Sequence, residues 1–328
     1  MRRPYRRFAV NAVGATFMAP EARPAAGRWK ALRLPLSCVD AGDDALGFPM
    51  RGLNFEVMRE HLIDAARGDH RIVGLLCDGS HSSGRGDEWS DIDVSVFVRD
   101  ADFDAFWAGW RGWAAQFGEL LLGYISWVGH PWAVYNAQPV PLRVDFDLHR
   151  ESTIDNVRNW PVNLTSVESA LWYDATNGRL RAAVETLVGK SLAPIDAHAD
   201  FERLCGDLWY ELLHAYSRLQ RGELWVARQA FHYRAMEPLL RLLRFEAGAF
   251  ERWQATPATA DIERVLSPER QRQLDGCIPG AGAEGLMTAL RNTADLGREV
   301  CEAIAADSGW DWPDRLAERV LALHTPSR

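Results

Sequence analysis

Cysteine is scarce in this chain, with five residues among 328. Cys38, Cys77, Cys205, Cys277 and Cys301 form no CxxC pair and leave an odd total. Neither a disulfide framework nor a cysteine-based zinc site is expected, and a reducing cytoplasm suits the chain best. Long apolar runs are also missing. None approaches the ~20 residues that a membrane-spanning helix requires, so no integral membrane protein is expected. There is no basic surplus: 37 Lys and Arg stand against 45 Asp and Glu, a net charge of -8. That balance argues against sequence-independent binding to duplex nucleic acid. No HExxH occurs, and Gly189-Lys190-Ser191 is not a P-loop, because Val184 occupies the position of the required first glycine. What is present, 47% hydrophobic and 25% charged residues, is the composition of an ordinary globular chain with length for one large or two medium domains.

The first stretch differs from the rest. Met1 to Cys38 carries eight Arg or Lys residues, one acid (Glu21) and four prolines, so residues 1–50 are expected to be a disordered leader. An export signal is the weaker reading of the apolar Phe8 to Ala19, and Met50 is an alternative start. Helical spacing begins behind Asn54 and runs to Gly68. Arg71 to Cys77 reads as a buried strand, and Asp91 to Val98 alternates strictly between polar and apolar residues. A helix is expected over Asp102 to Gln116, with Phe103, Phe106, Trp107, Trp110 and Trp113 read as core, and strands over Leu120–Trp127, Trp132–Asn136 and Leu142–His149. After about Pro161 the strand signals fade. Helices are expected over Leu180–Leu187, Phe201–Leu219, Leu224–Phe250 and Ala283–Ala306, with Arg241 and Arg244 on a charged face. The expected fold is therefore α+β: a small mixed-sheet domain over 51–160 followed by an all-helical domain over 161–323.

The chemistry concentrates in Cys77 to Val98, CDGSHSSGRGDEWSDIDVSVFV. Asp91 and Asp93 stand at i and i+2 of a strand, so they project to one side roughly 6 to 7 Å apart, given the ~3.3 Å rise per residue. Carboxylates so placed suit hard divalent cations such as Mg²⁺. Gly79 lets backbone N–H groups approach a phosphate, and the Ser80 hydroxyl offers one more bond. In LRVDFDLH, Leu142, Val144, Phe146 and Leu148 face one side, and Asp145 and Asp147 face the other.

A strand, Gly-Ser, about ten residues and then Asp-x-Asp on the next strand resembles the nucleotidyltransferase fold of the DNA polymerase β superfamily. The resemblance implies a third carboxylate in an Arg-x-Asp pattern on a later strand. Arg143-Val144-Asp145 has that form, which favours Asp145 over Asp147. It also implies two Mg²⁺ ions held among Asp91, Asp93, Asp145 and Asp147, and catalysis by Asp91, Asp93 and Asp145. Nucleotide contacts are implied at Gly79, Ser80, Ser90 and Arg85. The loop Gly84 to Asp91, the aromatic helix after it and the helical second half resemble the antibiotic-modifying branch, the lincosamide and aminoglycoside nucleotidyltransferases. Many members of that branch have arginine where Ser83 stands here, so phosphate contact is expected to pass to Arg85 or to arginines of the helical region. Arg218, Arg221, Arg228 and Arg234 there are read first as a solvated face. The implied activity is transfer of a nucleoside monophosphate, AMP from ATP or from another NTP the analogous group, to a hydroxyl of a small neutral or cationic acceptor, releasing pyrophosphate. The rival readings are nucleotidylation of a protein or RNA, as in toxin–antitoxin systems, and a nucleotide-binding regulator without turnover. Oligomeric state is left open.

Overall fold

The structure, a computed structural model, describes residues 52–250, 253 and 257–323. The expected leader over 1–50 lies outside the described residues. The chain divides into two compact units that meet at Lys190 and Ser191. The boundary falls later than the expected 160/161 because a short helical turn, a sixth strand and a further helix complete the first unit.

In the first unit, α1 (Phe55–Gly68) leads into β1 (Ile72–Asp78), the single turn α2 (Gly79–Ser82), β2 (Ile92–Val98) and α3 (Phe103–Ala114). Then come β3 (Leu120–Ile125), β4 (Pro131–Tyr135), β5 (Leu142–Arg150), α4 (Val167–Ala170), β6 (Leu171–Asp174) and α5 (Arg179–Glu185). The Asn54 side chain caps α1 by accepting from the Val57 N–H at 3.0 Å. The six strands are ordered β3-β4-β5-β2-β1-β6. All neighbours are antiparallel except β2 and β5, which run parallel, so the sheet is mixed as expected.

Strand alternation assigns the two faces. Ile92, Val94, Val96 and Val98 of β2, with Val144, Phe146 and Leu148 of β5, pack on Met58 and Leu62 of α1 and Phe106, Trp110 and Trp113 of α3. On the opposite face Phe97 packs with Leu76, Ile154, Val157, Leu180 and Val184. This second core covers one end of its face, where the Phe97 and His149 rings stack at 5.0 Å. The polar residues of β2 and β5 lie on that same face toward the strands' other end.

The second unit is helical: α6 (Ala197–Gln220), α7 (Leu224–Ala230), α8 (Met236–Glu246), α9 (Ile262–Val265), α10 (Pro268–Asp275), α11 (Gly282–Ser308) and α12 (Asp314–Leu323). The helix expected over Leu224 to Phe250 is interrupted by a π turn at Phe231–Ala235 and ends at Glu246. Among the described residues no helix is long and apolar enough to cross a membrane.

Arg244, expected on a charged face, is 2% exposed. Its Nε donates to the Ala258 carbonyl at 2.9 Å, and its guanidinium also reaches the Ala260 carbonyl, which ties the 257–261 segment to α8. Helical periodicity marks where a residue sits on a helix and not which loop returns to meet it. Arg244→Met keeps most of the volume but orphans these carbonyls, and should cost about 2–3 kcal/mol in a urea unfolding titration. An unchanged midpoint would show that the loop is held without it.

Candidate active site

The apolar run of β1 is buried from Ile72 to Cys77 and ends in Asp78. The chain then turns at Gly79 with φ of +69°. A Cβ at this position would stand 1.9 Å from Asp93 Oδ2, so the turn brings backbone directly against a carboxylate of the neighbouring strand. Gly79→Ala is accordingly expected to cost about 1–2 kcal/mol from backbone strain alone. It should also displace Asp93, so that initial rates fall further than the loss measured by thermal melting explains. A variant of full activity would remove Gly79 from the site. After the turn, Ser83 Oγ donates to the carbonyls of Gly79 and Ser80, both at 3.0 Å, and the Arg85 N–H donates to the Ser80 carbonyl at 2.9 Å. The Ser80 Oγ is buried with no hydrogen-bond partner among the described residues.

Strand register decides which carboxylates meet. Asp78 pairs with Asp93 across β1 and β2, and Asp93 pairs with Asp145 across β2 and β5. Paired residues point to one face, so three carboxylates on three adjacent strands form a row. Asp147 lies one repeat further along, opposite Ser95. A cavity of about 230 Å³ is lined by Asp78, Asp93, Asp145 and Asp147 together with His130 and Trp132.

Burial raises the carboxyls of the row, and their neighbours' negative charges raise them further. Asp78 is pushed up to about 8, with Asp93 the largest of the charges that add to burial. Asp145 is pushed up to about 7, with added repulsion from Asp93 and Asp91, and Asp93 to about 6, with added repulsion from Asp91. The Arg143 guanidinium offsets the last two in part. Asp147 behaves in the opposite way. Burial would raise it, but His149 and His130 outweigh burial and hold it below the ordinary carboxylate value. His149 Nε2 lies 3.0 Å from Asp147 Oδ2, and His130 Nδ1 lies 3.5 Å from Oδ1.

The other expected site residues divide. Asp91 is engaged by Arg143 at 3.1 Å. Ser90 closes its own loop, donating to Asp87 Oδ1 at 2.9 Å and accepting from the Asp87 N–H at 3.1 Å. In the helical unit Arg218 pairs with Glu223 at 2.9 Å, Arg234 lies 3.8 Å from Glu211, and Arg228 donates to the Gly280 and Gly282 carbonyls. Lys190 donates to the carbonyls of Arg158 and Trp160 at 3.1 and 2.8 Å, a pin between chain segments. Sequence reasoning misses Asp78, whose signal is its place immediately before Gly79 at the end of a buried strand. It also misses His149, which alternates with Asp145 and Asp147 on β5.

Among the described residues no three Asp, Glu, His or Cys side chains stand as a ready-made metal cage. The donor set nevertheless suits a hard cation. It is all oxygen, its carboxyls are raised by burial and further by neighbouring carboxylates, and the buried Ser80 hydroxyl lacks a partner among the described residues.

The streptomycin adenylyltransferase family model matches residues 143–325. That match starts at the arginine before Asp145, and the Gly-Ser and Asp-x-Asp segments lie upstream of it. No curated protein matches. Among solved structures, an aminoglycoside 6-adenyltransferase from Bacillus subtilis is 16% identical with a TM-score of 0.39, covering 83% of this chain and 98% of its own. A nucleotidyltransferase-like protein from Exiguobacterium sibiricum is 13% identical with a TM-score of 0.34, covering 76% and 77%. With more than half of its length matched by the family model, the chain belongs to the streptomycin adenylyltransferase family.

Proposed function

We propose that the protein transfers AMP from ATP to a hydroxyl of an aminoglycoside-type antibiotic and releases pyrophosphate. The observation that carries this reading is the row Asp78-Asp93-Asp145 beside the Gly79 turn, in a chain of an adenylyltransferase family. In the reaction the acceptor oxygen forms a bond to the α-phosphorus, the bond from that phosphorus to the bridging oxygen breaks, and pyrophosphate leaves with the electron pair. Asp145 accepts the proton of the attacking hydroxyl; its raised carboxyl makes it a competent base near neutral pH. Gly79 and Ser80 hold the phosphates, the Ser80 hydroxyl gaining the partner it lacks among the described residues. Asp91 and Asp93 would hold Mg²⁺, which when bound neutralises charge developing on the phosphoryl oxygens.

The test is direct. Full-length protein is incubated with Mg²⁺, each NTP in turn and a panel including streptomycin and a lincosamide, and pyrophosphate release is followed beside the mass of the acceptor. An adenylylated aminoglycoside is expected, with loss of turnover on chelation of Mg²⁺. Transfer to a protein or RNA with no small-molecule adduct would overturn the reading in favour of macromolecular nucleotidylation.

A further inference from the structure

Two of the five cysteines meet inside the helical unit. Cys205 of α6 and Cys301 of α11 are 96 residues apart in the chain, yet their Sγ atoms lie 3.3 Å from one another. Both are fully buried, in one apolar cluster with Leu204, Leu208, Val300 and Ile304. The other described cysteines turn to carbonyls instead. Cys77 Sγ donates to the Asp78 carbonyl at 3.5 Å, and Cys277 Sγ donates to the Gln273 carbonyl at 3.4 Å.

The helix backbones account for the meeting. Gly297 lies one turn before Cys301, and a Cβ there would stand 2.7 Å from Cδ2 of Leu208, three residues after Cys205. The two helices therefore approach closely along this stretch, and the facing pairs Cys205–Cys301 and Leu208–Gly297 run in opposite senses, as antiparallel helices in register require. A disulfide has an S–S bond of about 2.05 Å, so the two sulfurs need to close by about 1.2 Å, a movement shared between two side chains. An S–H is a weak donor, and two thiols facing each other in an apolar core gain little from it. A disulfide in the same place carries no donor at all.

We propose that Cys205 and Cys301 form a site of reversible oxidation, whose co-reactant is a small hydroperoxide such as hydrogen peroxide and whose product is a disulfide that locks α6 to α11. One sulfur attacks a peroxide oxygen: an S–O bond forms, the O–O bond breaks, and the thiol proton leaves with the departing oxygen as water. The second sulfur attacks the sulfenic sulfur so formed: the S–S bond forms, the S–O bond breaks, and a second water carries off the second thiol proton. The two cysteines give up two electrons and the peroxide takes them. Burial sets the rate. The hydrogen bond with Cys301, and after it desolvation, push the Cys205 thiol above its ordinary value, so the pair stays reduced until the helices part enough to admit peroxide. Once made, the cross-link closes a long loop, which restricts the unfolded chain more than a short one does.

Full-length protein is exposed to hydrogen peroxide in sub-denaturing urea, returned to buffer, then melted and mapped by digestion without reduction. A Cys205–Cys301 linked peptide is expected, with one melting transition raised by about 5–15 °C and restored to its starting value by dithiothreitol. Linkage should form faster as the urea concentration rises toward the start of unfolding. Cys205→Ala/Cys301→Ala should lose both the linked peptide and the shift, whereas Cys38→Ala/Cys77→Ala/Cys277→Ala should keep both, and the peptide map of the wild-type protein decides the pairing even if a variant fails to fold. Sulfinic acid at either position without a linked peptide would overturn the site. A linked protein that melts no higher than the reduced one would overturn the lock.

Discussion

Asn in place of Asp93 is expected to abolish transfer, lowering kcat by at least about 10³-fold, while raising the melting temperature of the metal-free protein at pH 8. The two effects have one cause. Asp93 is the middle member of the row, paired with Asp78 on one side and Asp145 on the other. Burial, with added repulsion from Asp91, pushes it up to about 6, and burial together with the charge of Asp93 pushes Asp145 up to about 7 and Asp78 to about 8. A carboxyl whose folded value lies above its unfolded one takes up a proton on folding. Its contribution is therefore fully present below the unfolded value near 3.9 and is lost as pH rises through the folded value. Across this window the metal-free protein should melt at progressively lower temperature as pH rises from about 4 to about 8, each such group contributing a slope of about 1.4 kcal/mol per pH unit between its two values. Asn removes one of the three groups and relieves the other two, so the slope should flatten. Added Mg²⁺ should raise the melting temperature of the wild-type protein at pH 8 and do much less for Asp93→Asn. A variant that melts lower than wild type at pH 8, with the same slope, would show that repulsion in the row does not govern stability.

Much of this site is legible in the amino-acid sequence, and the part that is not has a physical reason. Alternation along Asp91 to Val98 and along Leu142 to His149 is local, so it shows which residues face away from the core of α1 and α3. The turn at Gly79 is legible because a residue without Cβ, at the end of a buried strand, points to close backbone approach, and the Asp93 carboxylate occupies the space a Cβ would need. Register is not local. β2 and β5 are separated by α3 and a hairpin, and alternation along either strand does not decide which of Asp145 and Asp147 will lie beside Asp93; the preference for Asp145 comes from the family resemblance carried by Arg143-Val144-Asp145. Asp78 is hidden for the same reason, because a lone acid after six apolar residues reads as a strand end until the antiparallel pairing sets it against Asp93. The sixth strand escapes sequence reasoning because Leu171–Asp174 has only four residues and follows a helical turn, so its identity comes from pairing with β1. Arg244 gives the tertiary version of the same limit, since its partners Ala258 and Ala260 lie beyond the end of its own helix.

The second large effect separates Asp145 from Asp147. Asp145→Asn should lower kcat by about 10²- to 10⁴-fold with little change in the Kd of an ATP analogue, and Asp147→Asn should leave most of the turnover. Register and electrostatics both lead to this difference. Asp145 stands beside Asp93 and, among the described residues, has no cationic partner but the Arg143 guanidinium, which it shares with Asp93 and Asp91. Its carboxyl, pushed up to about 7, is poised to exchange a proton near neutral pH. Asp147 is held ionised by His149 and His130, and a carboxylate below its ordinary value is a poor proton acceptor. Replacing Asp147 with Asn therefore removes a charge that steadies two imidazoles. The expected consequence is a lower melting temperature above about pH 4, where the ionised carboxylate was stabilising, with that loss vanishing as pH falls toward the depressed native value. Single-turnover rates and melting curves on both variants read the two effects independently. If Asp147→Asn is inactive while Asp145→Asn turns over normally, the proton acceptor lies one repeat further along β5 and the row of Asp78, Asp93 and Asp145 is not the catalytic set.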